Sequence, residues 1–126
     1  MINKNTVNIL LIRHGEANAS WDEDRDPGLS EKGKLQSKLL EKEISSRLPS
    51  KFNAISSPLS RAKETSIPLK EKLGFKLSIN DIYAEIPSPG IPLSERRDWL
   101  KGIFGARIDE LEKPQMEWRN KIIKSL

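Results

Sequence analysis

The chain has 126 residues, 36% hydrophobic and 32% charged, with a formal net charge of +4 and no cysteine. That length suits one domain able to bury roughly two-thirds of its unfolded surface. The composition excludes disulfides and thiolate metal sites and fits a reducing cytoplasm; no apolar run reaches the ~20 residues of a membrane span, and basic residues interleaved with acidic ones argue against nucleic acid as a partner.

Val7 to Ile12 is a short, continuous aliphatic run and predicts a fully buried strand. It stops on Arg13-His14-Gly15-Glu16, and His14 is the only histidine of the chain. A strand ending there sets an imidazole and a guanidinium at the lip of a sheet, where open α/β proteins place ligands. Successive strand side chains point to opposite faces, so Arg13 and His14 share a pocket only if the strand ends or bends; Gly15 supplies that freedom. Residues 15–29 predict a polar loop with a turn at Asp26-Pro27-Gly28. Ser30 then reads as an N-cap with Leu29 as staple, and Leu35, Leu39, Leu40, Ile44 and Leu48 predict one apolar stripe on a helix over about 31–47. Pro49 ends it.

Phe52 to Ser56 predicts a second strand. Ser57-Pro58 predicts the start of a second helix, with Ser57 as cap, Ala62, Leu69 and Leu73 facing inward, Gly74 as terminator and a kink or break near 64–68 from Pro68. Lys76 to Ile79 is a third strand candidate. The alternation of strand and helix predicts an α/β domain: a three-layer sandwich with a mostly parallel sheet between helices. A Pro-rich loop over 84–92, a helix from Leu93 to about Phe104 and a last helix opened by Pro114, with Trp118, Ile122 and Leu126 on one face, complete the pattern.

Several of these segments together resemble the histidine phosphatase superfamily, the phosphoglycerate-mutase-like group. The resemblance begins at Leu11-Ile12-Arg13-His14-Gly15-Glu16, continues through Pro27-Gly28-Leu29-Ser30-Glu31-Lys32-Gly33, and is strongest at Ser56-Ser57-Pro58-Leu59-Ser60-Arg61-Ala62-Lys63-Glu64-Thr65. Tyr83-Ala84-Glu85 sits where that family carries an acidic residue, so the similarity spans most of residues 7–86. Three motifs in the right order carry weight that an isolated Arg-His-Gly lacks.

The resemblance implies hydrolysis of phosphomonoesters, or of phosphohistidine in a protein, through a phosphohistidine on His14, without metal or organic cofactor. A phosphoryl group carries negative charge that fixed cations must hold, and the planar guanidinium fork suits it. Arg13 and Arg61 are the expected clamps, Arg61 in the first turn of the second helix where the dipole favours anions. His14 must be neutral to attack, with its other ring nitrogen fixed by an acceptor such as a backbone carbonyl in the following turn. Glu85 is expected to protonate the leaving oxygen and then activate water, which requires a carboxyl whose proton is retained by desolvation; the neighbouring Pro-rich loop is the expected apolar wall.

The family's pocket also holds a second histidine on a later strand, and this chain has one histidine only. Residues 117–126 resemble the helix that precedes that strand. The expectation is therefore a single domain over 1–126 that lacks its C-terminal part, with impaired turnover. The loop from Ala17 to Pro27 lacks the Phe-x-Gly-Trp stretch of cofactor-dependent phosphoglycerate mutases, which favours a phosphatase over a mutase. A non-catalytic phosphoanion-binding module is the competing class. Glu16 reads as a loop charge or structural acceptor, Trp99 and Trp118 as core or staple residues, and Asp22-Glu23-Asp24 lacks calcium-loop spacing. The sequence does not choose a substrate or an oligomeric state.

Overall fold

The computed structural model describes residues 6–19 and 24–126. Residues 1–5 and 20–23, most of the acidic cluster Asp22-Glu23-Asp24 included, lie outside them. In chain order the elements are helix α1 (Glu31–Ile44), strand β1 (Ala54–Ser56), helix α2 (Ser60–Leu73), strand β2 (Leu77–Ile79), helix α3 (Arg96–Gly105) and helix α4 (Lys113–Ser125), with short 3-10 turns at Asp81–Tyr83, Leu93–Glu95 and Ile108–Glu110. The class is α/β, as the alternation predicts. β1 and β2 pair in parallel, Ala54 opposite Leu77 and Ser56 opposite Ile79.

Ser30 caps α1 as expected, its hydroxyl accepting from the Gly33 N–H at 3.0 Å. α1 packs on α2, and the residues it buries are Gly33 and Ser37 rather than the leucine stripe. Leu35 and Leu39 are 61% and 58% exposed. Leu29 and Leu69 are the buried apolar side chains among the described residues. Phe52 and Phe75 stack edge to face beside the sheet, their centroids 5.3 Å apart.

Three expectations are corrected. The run Val7–Ile12 is not a buried strand: it is irregular, and Leu11 is 85% exposed. A buried parallel strand needs neighbours for its N–H and C=O groups and cover on both faces. Among the described residues β1 and β2 form the sheet, and neither pairs with this run. Second, α2 opens at Ser60, not at Ser57-Pro58; the Ser57 hydroxyl accepts from the Leu59 N–H at 3.1 Å, ahead of the helix. Third, α2 runs unbroken through Pro68, which forgoes one N–H donor without ending the helix. Leu73, expected on the inward face of α2, is exposed as well. Gly74, left-handed at φ 70°, stops α2 by donating to the Lys70 carbonyl at 2.7 Å.

The N-terminus of α2 is capped from a distance. Its N-cap residue, Leu59, has no side chain able to accept, and Asp26 takes that place: Oδ1 accepts from the Ser60 N–H at 2.7 Å and Oδ2 from the Ser60 hydroxyl at 2.9 Å. The backbone donor of Ser60 holds the Asp26 carboxyl below its usual value; partial burial opposes that shift, and the Ser60 hydroxyl, Arg61 and Lys63 reinforce it. A carboxylate with a depressed folded value stabilises the fold above the ordinary carboxylate range, near ~3.9, and loses that contribution as pH falls through the folded value. Asp26→Asn keeps an oxygen for the Ser60 N–H and loses only the charge, so it is expected to cost about 0.3–1 kcal/mol at neutral pH, the worth of a carboxylate at a helix N-terminus. In paired urea melts, the gap between the two proteins should close as the pH falls below ~3.9. An unchanged gap in acid contradicts the assignment.

Candidate functional site

The loop that carries His14 is held by backbone contacts that leave no room for side chains. A Cβ on Gly15 would lie 2.7 Å from the Gly33 carbonyl oxygen, and one on Gly33 would lie 2.2 Å from the Glu16 carbonyl oxygen. Glycine at both positions lets residues 15–16 lie directly on the first turn of α1. Hydrogen bonds then fix the loop to both helices. The Gly15 N–H donates to the Thr65 hydroxyl at 3.0 Å, and that hydroxyl donates to the Arg61 carbonyl at 2.7 Å. The Glu16 N–H donates to Gln36 Oε1 at 2.8 Å, and the Ser30 N–H donates to the Glu16 carbonyl at 2.9 Å. Glu16 thus serves as a structural acceptor, its carboxylate also receiving the Ser30 hydroxyl at 3.0 Å. A bridge between Ala17 and Leu29 closes the loop.

His14 is half-buried at an open cleft of about 940 Å³ that Arg13, Arg61, Thr65 and Glu85 also line. Its Nδ1 lies 2.7 Å from the Gly15 carbonyl. A carbonyl only accepts, so Nδ1 carries the proton and Nε2 keeps its lone pair. That Nε2 faces the Nε–H of Arg61 at 3.3 Å. The Arg61 guanidinium, 5% exposed, also meets Glu85 Oε1, while its Nη1 is buried without a partner. Burial pulls the Arg61 guanidinium below its ordinary value; Asp26 opposes the shift and Arg96 adds to it. A buried cation with an open donor at a cleft is a site that gains from an anion.

Three of the four residues singled out in the sequence, His14, Arg61 and Glu85, therefore meet at one point. Arg13 lines the same cleft from an exposed position. The surroundings of Glu85 differ from the expected apolar wall. Its carboxylate is bracketed by guanidinium groups, Arg61 on Oε1 and Arg96 on Oε2 at 3.4 Å. The loop carrying it is fixed by α4: Trp118 Nε1 donates to the Ile82 carbonyl at 3.1 Å and Gln115 Nε2 to the Pro87 carbonyl at 2.7 Å. Gln115, 2% exposed, and Arg96 escaped the sequence reading. Neither lies in a motif, and only the fold brings Arg96 to Glu85 and Gln115 to the loop that carries it.

A family model for the histidine phosphatase superfamily (branch 1) matches residues 9–88. Among solved structures, the native mycobacterial glucosyl-3-phosphoglycerate phosphatase is similar at 26% identity and a TM-score of 0.50, over 57% of this chain and 35% of that one. The mycobacterial glucosyl-3-phosphoglycerate phosphatase complexed with VO3 is similar at 26% identity and a TM-score of 0.49, over 57% and 37%. Mycobacterial hydrolase 1 follows at 24% identity and 0.45, over 55% and 34%. The match thus extends over about a third of the length of these solved structures. No curated protein matches the chain.

The close approach of residues 15–16 to α1 predicts opposite effects at two helix glycines. Gly33→Ala forces a methyl group onto backbone and should cost about 1–3 kcal/mol. Gly102→Ala, in α3 with nothing within 4 Å of the added atom, should be neutral or stabilise by up to ~1 kcal/mol. Urea melts of the two variants check this, and equal stabilities contradict the packing.

Proposed function

From the premise that the chain belongs to the histidine phosphatase superfamily, we propose that its cleft binds the phosphoryl group of a phosphomonoester and transfers it to Nε2 of His14. The observation that carries this reading is the approach of His14 Nε2 to the Arg61 guanidinium at 3.3 Å, with Glu85 on the same guanidinium. Nε2 carries the lone pair that attacks phosphorus; the P–O ester bond breaks; the leaving oxygen takes a proton from the Glu85 carboxyl. Water then attacks the phosphohistidine, gives a proton to Glu85, and inorganic phosphate leaves as the N–P bond breaks. Arg61 and Arg13 supply the positive charge the phosphoryl oxygens need throughout.

The substrate class is a phosphorylated small molecule, with phosphohistidine in a protein as the alternative. The similarity to the native mycobacterial glucosyl-3-phosphoglycerate phosphatase supports the first, since glucosyl-3-phosphoglycerate is a small phosphate ester. A cysteine-free chain suits a cytoplasmic setting, and no helix among the described residues is long and apolar enough to cross a membrane.

One observation favours a second reading. With a single histidine, the chain cannot supply the second imidazole that the family's pocket uses. The chain alone is then a phosphoanion-binding module with slow or absent turnover.

Incubation with a phosphoryl donor followed by mass spectrometry separates the two. Labelling of His14, lost in His14→Asn, supports the enzyme; tight phosphate binding without labelling supports the module. On p-nitrophenyl phosphate the 126-residue chain should turn over far more slowly than intact family members, and equal rates contradict that expectation. Arg61→Ala should weaken phosphate binding at least tenfold, the worth of one charged hydrogen bond.

A further inference from the structure

Glu85 presents a difficulty for a proton donor. Two guanidinium groups at its oxygens favour the ionised carboxylate, yet the leaving oxygen needs a proton. The difficulty lifts once an anion enters the cleft. Arg61 Nη2 now donates to Glu85 Oε1, and a phosphoryl dianion competes for that guanidinium. When it wins, Oε1 loses its partner and faces negative charge, which favours uptake of a proton from water.

What keeps the carboxyl in place at that moment is the second guanidinium. Arg96 begins α3, beyond the residues matched by the family model. Its side chain is 13% exposed and its Nη2 lies 3.4 Å from Glu85 Oε2. A protonated carboxyl keeps an acceptor oxygen, so Oε2 can stay on Arg96 while Oε1 bears the proton. We propose that Arg96 is a positioning residue of this site, holding Glu85 by Oε2 so that Oε1, released by Arg61 to the phosphoryl group, is aimed into the cleft as the proton donor. The inference rests on the phosphoryl-transfer reading of the cleft. Among the described residues, the charged and titratable groups that bear on it are Arg13, His14 and Glu16 from the N-terminal segment, Asp26 and Arg25 from the loop before α1, Arg61 from α2 and Arg96 itself. Arg25 and Arg61 both repel Arg96, and Glu85 is a counter-charge within this positive cluster.

Inorganic sulfate is the probe, because it is a fixed dianion with no proton to exchange near neutral pH. Calorimetric titration of the full chain in two buffers of different ionisation heat counts protons taken up on binding. The wild-type chain should take up protons as sulfate binds in mild acid; a part of that uptake should remain in His14→Asn, and Glu85→Gln should lose that part. Arg96→Met should move the pH range of the uptake upward by about one unit, the effect of removing one adjacent cation, and Arg96→Lys should move it back toward the wild type. A purely structural Arg96 leaves the range unmoved, and that result overturns the proposal. So does uptake lost in His14→Asn and kept in Glu85→Gln. Should Arg96→Met not fold, a sulfate-bound crystal structure decides. Arg61 on sulfate with Oε2 still on Arg96 supports the role, and Oε2 detached from Arg96 overturns it. Sulfate that fails to bind, or binds equally to Arg61→Ala, brings down the phosphoryl-transfer reading itself; binding through Arg61 without the Arg96 effect brings down this inference alone.

Discussion

A guanidinium removed from water must be met by acceptors, and most of this structure arranges how Arg61 is met. It is 5% exposed, a burial that costs several kcal/mol if uncompensated. His14 Nε2 and Glu85 Oε1 compensate it. Each needs its own support. His14 depends on a loop pressed onto α1 through Gly15 and Gly33 and tied to α2 by Thr65. Glu85 depends on a segment fixed by Trp118 and Gln115 of α4. Arg61 itself depends on where α2 begins, which Asp26 determines. Four stretches far apart in sequence thus converge on one charge.

The same arrangement has a chemical consequence. With Nδ1 of His14 satisfied by the Gly15 carbonyl, the lone pair sits on the nitrogen that accepts from the Arg61 guanidinium. In the proposed reaction the nucleophile and the anion-binding donor share one entrance. The buried Nη1 of Arg61, without a hydrogen-bond partner, leaves this guanidinium a donor for an anion. The carboxylate of Glu85 stands in for that anion meanwhile.

Local features were legible in the sequence because local rules govern them. The Ser30 cap and the two short strands followed from patterns a few residues wide. His14, Arg61 and Glu85 were legible through their ordered motifs. What the sequence hid was non-local. An aliphatic run such as Val7–Ile12 states a demand for burial but not whether neighbouring strands exist to meet it, and here it stays exposed. Leu35 and Leu39 made the same demand on α1, while the face that packed carries Gly33 and Ser37. The cap on α2 comes from 34 residues away, and no pattern inside the helix announces it. Arg96 reads as an ordinary helix-start arginine until the fold brings it to Glu85.

A lone imidazole makes the central claim directly measurable. With one histidine in the chain, the ring nitrogens give a single, unambiguous pair of nitrogen-15 resonances. At about pH 9, where an ordinary imidazole is neutral, a proton on Nδ1, a bare Nε2 and a marked shift of Nε2 on addition of vanadate are expected. A proton on Nε2, or a spectrum indifferent to vanadate, contradicts the claim.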